Sequence, residues 1–99
     1  MEQVVYVSYI GLVRNVIGCS EETVKVIRGA TVGQLLTQLV AKHGLPFQQS
    51  VLKQTGELRS MAQVCIDDRD IAELGGLETK MDENDNISIV VGVYPPEGG

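Results

Sequence analysis

The side chains that could carry chemistry in this sequence are few and scattered. Its two cysteines, Cys19 and Cys65, lie far apart and form no C-x-x-C pair. A zinc or redox site at either thiol would need closer spacing, or more ligands than the single histidine, His43, can add. We therefore predict two reduced structural thiols. For His43, at the edge of a helical apolar stripe, packing or an interaction with the helix dipole is favoured over catalysis.

Two clusters of acidic residues could suggest a metal site. The segment 82–86 has the composition of a calcium loop, but Ile87 stands where that loop needs glycine and Val93 where it needs a bidentate glutamate. The second cluster surrounds Arg69, whose guanidinium would compete with any cation, and is typical of a solvated turn: Asp67, Asp68 and Asp70. We predict no metal site.

The sequence ends in two glycines, Gly98 and Gly99, which follow two prolines and a glutamate. Gly98 and Gly99 lack β-carbons, so they can enter a narrow channel and adopt backbone angles closed to other residues. Pro95 and Pro96 favour an extended backbone. Six residues from Tyr94 would reach roughly 20 Å when fully extended. We predict a domain over 1–93, followed by an extended tail: Tyr94, Pro95, Pro96, Glu97, Gly98 and Gly99.

Composition and charge exclude several classes of function. The formal net charge is −5 and the eight Lys and Arg residues are scattered, which argues against a nucleic-acid surface. An acidic chain would instead be steered towards a partner with a basic face. No basic and apolar leader opens the sequence, and no apolar run approaches the length of a membrane span. We expect a cytoplasmic protein without a membrane partner.

The clearest local signal is an amphipathic helix over 32–43. Thr31 and Gln34 have the spacing of a capping box at its start. Gly44 fits a left-handed position that ends a helix, and Pro46 prevents its resumption. The apolar stripe recurs with the helical period: Val32, Leu35, Leu36, Leu39, Val40 and His43.

Alternation of apolar and polar residues predicts strands on both sides of this helix. The predicted strands are 3–10, 22–28, 63–66 and 86–93. Between them we predict a loop at 11–20, a short helix or an irregular packed segment within 45–60, a turn at 67–68 and a glycine-rich bend within 71–81. This order predicts an α+β domain in which one main helix packs on one face of a mixed sheet.

Several segments resemble the small sulfur-carrier family of molybdopterin and thiamine biosynthesis, the MoaD/ThiS group of ubiquitin-like proteins. The matching segments span almost the whole chain: 29–36 at the helix start, 66–81, 85–90 and the Pro-Pro…Gly-Gly ending. The resemblance implies a β-grasp fold. The chain length favours the MoaD-like branch, since thiamine-type carriers usually lack much of the 45–60 segment.

The same resemblance implies that the tail 94–99 enters a partner's site and that the chemistry at Gly99 is carried out in partner enzymes, with no catalytic residue in this chain and no stably bound cofactor. In the family, an adenylating enzyme of the ubiquitin-activating type uses ATP to adenylate the terminal glycine, and a sulfur donor converts the adenylate to a thiocarboxylate. The implied acceptor is the large subunit of a molybdopterin synthase, or an enzyme of cysteine, thiamine or tungsten-cofactor synthesis. Two departures from the family pattern occur: Asp67-Asp68 replaces the usual Asn-Gly, which indicates a different turn type, and Glu97 directly precedes the glycines, which bears on partner identity.

Two other functions remain open at this point. The chain could be a protein modifier joined to lysines through Gly99, since an amine can attack the same activated carboxylate. It could also be a β-grasp binding module with an inert tail. Family members dock through an apolar patch on the open face of the sheet. The candidates on the last strand are Val90 and Tyr94, and those on the first strand are Val5, Val7 and Tyr9. The alternative is that these side chains form a second packing layer.

Overall fold

The computed structural model describes residues 1–92. Five strands lie in this part of the chain: β1 (Glu2–Gly11), β2 (Glu21–Ile27), β3 (Ala62–Ile66), β4 (Arg69–Asp70) and β5 (Asn86–Val91). Three α-helices accompany them: α1 (Leu12–Ile17), α2 (Val32–His43) and α3 (Leu45–Val51). Two single 3₁₀ turns, Ile71–Glu73 and Gly76–Glu78, form the predicted glycine-rich bend.

The strands form one mixed sheet in the order β2-β1-β5-β3-β4. β1 pairs antiparallel with β2 and parallel with β5, so the first and last strands are neighbours at its centre. β3 pairs antiparallel with both β5 and β4. This is the predicted α+β architecture, a β-grasp sheet crossed on one face by its main helix.

Helix α2 begins and ends as its sequence predicts. The Thr31 hydroxyl accepts a hydrogen bond from the backbone N–H of Gln34 at 3.2 Å. In return, the side-chain oxygen of Gln34 accepts one from the backbone N–H of Thr31 at 2.8 Å. Together these bonds satisfy two free donors of the first turn. Gly44 ends the helix with φ 87° and ψ −167°, so it has the predicted positive φ but an extended ψ.

One apolar core lies between the sheet and the helices. Helix α3 contributes the buried side chains of Phe47 and Val51. Helix α2 contributes four more: Val32, Leu35, Leu36 and Leu39. The strands β2, β3 and β5 bury every second residue, as the alternation predicts. Burial of these aliphatic side chains supplies the main driving force for folding.

The predicted loop at 11–20 is wrong in its first half. Residues 12–17 form α1, whose apolar side chains follow at i, i+1, i+4 and i+5: Leu12, Val13, Val16 and Ile17. Gly18 ends this helix in the left-handed conformation, and its N–H donates to the Arg14 carbonyl at 2.8 Å. The 45–60 segment takes the first of its two predicted alternatives, a short helix, before an irregular stretch.

Candidate functional site

The central strand β5 leads directly into the C-terminal tail. It is held on one side by β1 and on the other by β3, and the N–H of the following Gly92 still donates to the Met61 carbonyl at 3.0 Å. Because β1 and β5 are parallel, their C-terminal ends lie at the same end of the sheet. The predicted tail lies outside the described residues: Tyr94, Pro95, Pro96, Glu97, Gly98 and Gly99.

A glycine at the end of β1 allows β5 to approach closely. Gly11 is paired with Val91 and has φ +84°. A β-carbon at Gly11 would lie 2.2 Å from the Val91 carbonyl oxygen, well inside van der Waals contact. Any other residue here would therefore have to displace the end of β5, which precedes the tail in the sequence.

The predicted docking residues of β1 are on the wrong face. Val5 and Val7 are fully buried and Tyr9 is only 1% exposed, because their side chains point towards the helices. The alternative prediction, a second packing layer, does not hold either, because these three side chains belong to the main core between the sheet and the helices. Val90 is half-buried on the opposite, open face of the sheet.

An exposed apolar group does lie at the base of the tail. On the open face, Ile10 is 49% exposed and pairs with Val90 of β5. Leu12 and Val16, one turn apart on α1, are also exposed, and α1 follows β1 at this same end of the sheet. We call these four residues the tail-base patch: Ile10, Leu12, Val16 and Val90. Sequence reasoning missed Leu12 and Val16 because it predicted no helix here, and it missed Ile10 because it placed the opposite face of β1 outward.

At the end of α2, a polar network joins the helix to the sheet. The Glu22 carboxylate of β2 accepts hydrogen bonds from the Tyr9 hydroxyl at 2.5 Å and from Lys42 Nζ at 2.5 Å, and lies 2.7 Å from His43 Nε2. The His43 ring also packs near the Tyr9 and Phe47 rings, with centroids about 6 Å apart. The predicted packing role of His43 is confirmed, with a hydrogen bond to Glu22 added.

Proton affinities in this network follow from its partners. Burial raises the pKa of the Glu22 carboxyl, but the hydrogen bonds from Lys42, Tyr9 and His43 outweigh burial and lower that pKa to about 2. Burial, and then the Glu22 carboxylate, raise the pKa of the Tyr9 hydroxyl. Both groups are fixed in one protonation state near neutral pH, which suits a structural clamp.

The remaining candidates offer little chemistry. Cys19 and Cys65 are both free. Burial raises the pKa of the Cys65 thiol, and the nearby Asp70 and Asp68 raise it further, so the thiolate is disfavoured. Residues 1–92 contain no group of three or more His, Cys, Asp or Glu side chains able to hold a metal ion.

A surface cleft of about 580 Å³ lies beside β3 and β4. Two charged residues line it: the Asp70 carboxylate accepts bonds from the Ala72 N–H and from Gln63 Nε2, and the Glu57 carboxylate accepts one from the Thr55 hydroxyl at 3.3 Å. An acid–base pair does not form in this cleft among the described residues. None of the helices in the described part of the chain is long and apolar enough to span a bilayer.

Comparison with known proteins agrees with this geometry. The sequence pattern of the ThiS family matches residues 7–95, although no curated protein matches the chain. The Haloferax volcanii HVO 2177 protein is 24% identical, with TM-score 0.81 and 94% and 86% of the two chains covered. Small archaeal modifier protein 1 of that organism is 22% identical, with TM-score 0.79 and coverages of 92% and 99%.

A third structure, the BexX/CysO complex of Amycolatopsis orientalis, contains a chain that is 25% identical, with TM-score 0.73 and coverages of 92% and 98%. The family match covers most of the sequence, from β1 to the proline pair, and the three structures share its fold. The chain belongs to the ThiS family, whose members are small ubiquitin-like sulfur carriers and modifiers that act with partner enzymes.

Proposed function

We propose that this chain is a sulfur carrier whose Gly99 carboxylate becomes a thiocarboxylate and donates sulfur in cofactor biosynthesis, with molybdopterin the favoured product. The observation that supports this most is the ThiS-family match, which continues through β5 and into the tail as far as Pro95. The chain length relative to thiamine-type carriers favours the molybdopterin branch. All bond-making steps take place in partner enzymes.

The chemistry requires activation of a poor electrophile. The Gly99 carboxylate attacks the α-phosphate of ATP bound by the adenylating enzyme, and pyrophosphate leaves. Hydrosulfide released by the sulfur donor then attacks the acyl carbon, forms a carbon–sulfur bond and displaces AMP, which leaves a thiocarboxylate on Gly99. A side-chain-free end suits both steps, because Gly98 and Gly99 present no β-carbon to a narrow active-site channel.

Sheet geometry supports this role at the base of the tail. The bond from Gly92 to Met61 and the close approach of Gly11 to Val91 fix the point from which the tail leaves. A fixed departure point limits the conformational entropy lost when the tail enters a partner site. The tail-base patch lies at the same end of the sheet as Gly92. We therefore propose it as the docking surface in place of Val5, Val7 and Tyr9.

Intact mass spectrometry of the protein from its native host tests the proposal. We expect a population heavier by one oxygen-to-sulfur exchange, and fragmentation should locate the sulfur at Gly99. A variant lacking Gly99 should fold normally and carry no sulfur. The internal Gly75-Gly76 pair provides a matched control, since Gly75→Ala leaves the chain end unchanged and should be loaded like the wild type. Sulfur loading without Gly99 would overturn the mechanism.

A second function is favoured by one specific observation. Small archaeal modifier protein 1, a protein named as a modifier, has the same fold with TM-score 0.79. An activated Gly99 attacked by a lysine amine would give an isopeptide bond in place of a thiocarboxylate. Branched peptides ending in Gly-Gly on host lysines would support this function, and the same mass spectrometry detects them.

A further inference from the structure

The sheet has two edges, and they differ in length. At one edge lies β4, which has only two residues, Arg69–Asp70. At the other lies β2, a regular strand of seven residues, Glu21–Ile27. A long edge strand presents backbone donors and acceptors to which another strand can pair.

The direction of these backbone groups along β2 follows from its hydrogen bonds. The Arg28 N–H donates to the Met1 carbonyl and the Ser20 carbonyl accepts from the Tyr9 N–H, both at 2.8 Å, so even-numbered positions face β1. The Lys25 carbonyl instead accepts from the Gln38 side chain of α2 at 2.7 Å. Odd-numbered positions therefore direct their backbone groups away from the sheet, because the two directions alternate.

Two opposite charges stand at these outward positions. Glu21 and Lys25 are both exposed, two residues on either side of Thr23. Their neighbours on β1 are Ser8 and Val4, which carry no charge. Within residues 1–92, the ion pairs involve other side chains, so Glu21 and Lys25 have no charged partner.

We propose that β2 pairs antiparallel with β2 of a second copy of this chain, about a two-fold axis at Thr23. This register opposes Glu21 of each copy to Lys25 of the other, which gives two cross-strand ion pairs. The outward backbone groups of both strands face one another, as a hydrogen-bonded antiparallel pair requires. The result is one continuous ten-stranded sheet built from two five-stranded sheets.

Other registers that keep the backbone groups opposed are less favourable. A shift of the axis by one position in either direction places Thr23 opposite Glu21 or Lys25 and leaves both ion pairs unmade. A shift by two positions opposes Glu21 to Glu21 or Lys25 to Lys25. Like charges directly opposite each other destabilise a strand pair. The charge pattern therefore selects the Thr23 register.

The same charges make the edge selective for its own copy. A lysine in the middle of an edge strand discourages pairing with an unrelated strand, because its charge is left without a partner. In the proposed pair, that lysine meets a glutamate. Gln38 does not block the pairing, because the Lys25 carbonyl has two lone pairs and can accept a second bond. The tail-base patch lies on β1, α1 and β5, and none of its residues belongs to the β2 edge that pairs in the dimer.

Sedimentation equilibrium of the full chain tests the proposal at physiological ionic strength. We expect a concentration-dependent dimer. Lys25→Glu and Glu21→Lys, each alone, place like charges opposite one another twice and should weaken dimerisation about tenfold or more. An equimolar mixture of the two variants restores both ion pairs and should form a mixed dimer as tightly as the wild type. Lys53→Glu, the same change outside β2, is the charge-matched control and should dimerise normally.

Circular dichroism should show that all three variants fold, because the substituted side chains are exposed. A wild-type chain that stays monomeric at millimolar concentration would overturn the proposal. So would a dimer that Lys25→Glu and Glu21→Lys leave intact, or a mixture of the two that fails to associate. None of these outcomes depends on the state of Gly99.

Discussion

The two faces of β5 carry side chains of the same kind in opposite environments. Ile89 points to the helices and is fully buried, whereas Val90, the next residue, is half-buried on the open face. The first face holds the domain together, and the second lies beside the departure point of the tail. Apolar character alone thus does not tell a core residue from a docking residue. The pairing of the strand with its neighbours decides between them.

Truncation of each side chain should separate the two faces most clearly. Ile89→Ala removes buried methyl groups and leaves a cavity, so we expect it to lower the free energy of unfolding by about 2–4 kcal/mol. Val90→Ala, on the adjacent residue of the same strand, should lower it by less than about 1 kcal/mol. Urea denaturation measures both. Equal losses would contradict the assignment of the two faces.

The two glycines that flank α1 differ in the space around them, which allows their roles at the end of β1 to be compared. Gly11 and Gly18 have nearly equal φ, +84° and +86°, but a β-carbon would meet the Val91 carbonyl at Gly11 and nothing within 4 Å at Gly18. Gly18→Ala should cost about 1 kcal/mol from backbone strain alone. Gly11→Ala adds a steric clash and should cost about 1–2 kcal/mol more.

Denaturation again gives the two stabilities, and amide exchange reports the end of β5 separately. We expect faster exchange at Gly92 in Gly11→Ala but not in Gly18→Ala. Similar exchange in both variants would show that Gly11 does not control where the tail leaves the sheet.

The polar network at Glu22 should make stability depend on pH. The folded-state pKa of this carboxyl, about 2, lies below its ordinary value. Its stabilising contribution is therefore complete above the unfolded pKa of about 4.5 and is lost as the pH falls towards 2. We expect a loss on the order of 1–2 kcal/mol over that range, because the partly exposed network is screened by solvent.

Glu22→Gln should remove this part of the pH dependence, which thermal melts at pH 7 and pH 3 would detect. Glu78→Gln, at an exposed glutamate outside the network, is the control and should keep the wild-type profile. If both variants lose the same pH dependence, the network at Glu22 is not its source.

How far the sequence predicts this molecule depends on the range of the interactions. Helix α2 is predicted to within a residue because its capping box, apolar stripe and terminal glycine lie close together along the chain. Helix α1 is missed because Gly11 and Gly18 suggest a loop, although the spacing of Leu12, Val13, Val16 and Ile17 is helical. The glycines in fact mark its two ends.

The orientation of β1 could not be predicted locally. Both of its faces carry apolar residues, with Val7 on one and Ile10 on the other, so alternation gives the period but not the side that is buried. That choice depends on β5, whose Ile87 lies beside Val7 although the two are far apart in sequence. The contacts of Glu22 with Lys42 and His43 are non-local in the same way.

Substitutions on the open face should change partner binding with little effect on stability. Ile10 and Tyr6 lie on the same face of β1 with similar exposure, 49% and 43%, but only Ile10 belongs to the tail-base patch. If a partner docks there, Ile10→Lys should weaken binding to the adenylating enzyme about 10-fold or more, because a charge replaces an apolar contact at the centre of the interface. Tyr6→Lys, farther from the tail, should bind nearly as well as the wild type.

Both variants should unfold within about 0.5 kcal/mol of the wild type, since neither side chain is in the core. Calorimetric titration against the adenylating enzyme measures the binding. Equal weakening by the two variants would extend the docking surface along β1, whereas no weakening by Ile10→Lys would remove the tail-base patch from it.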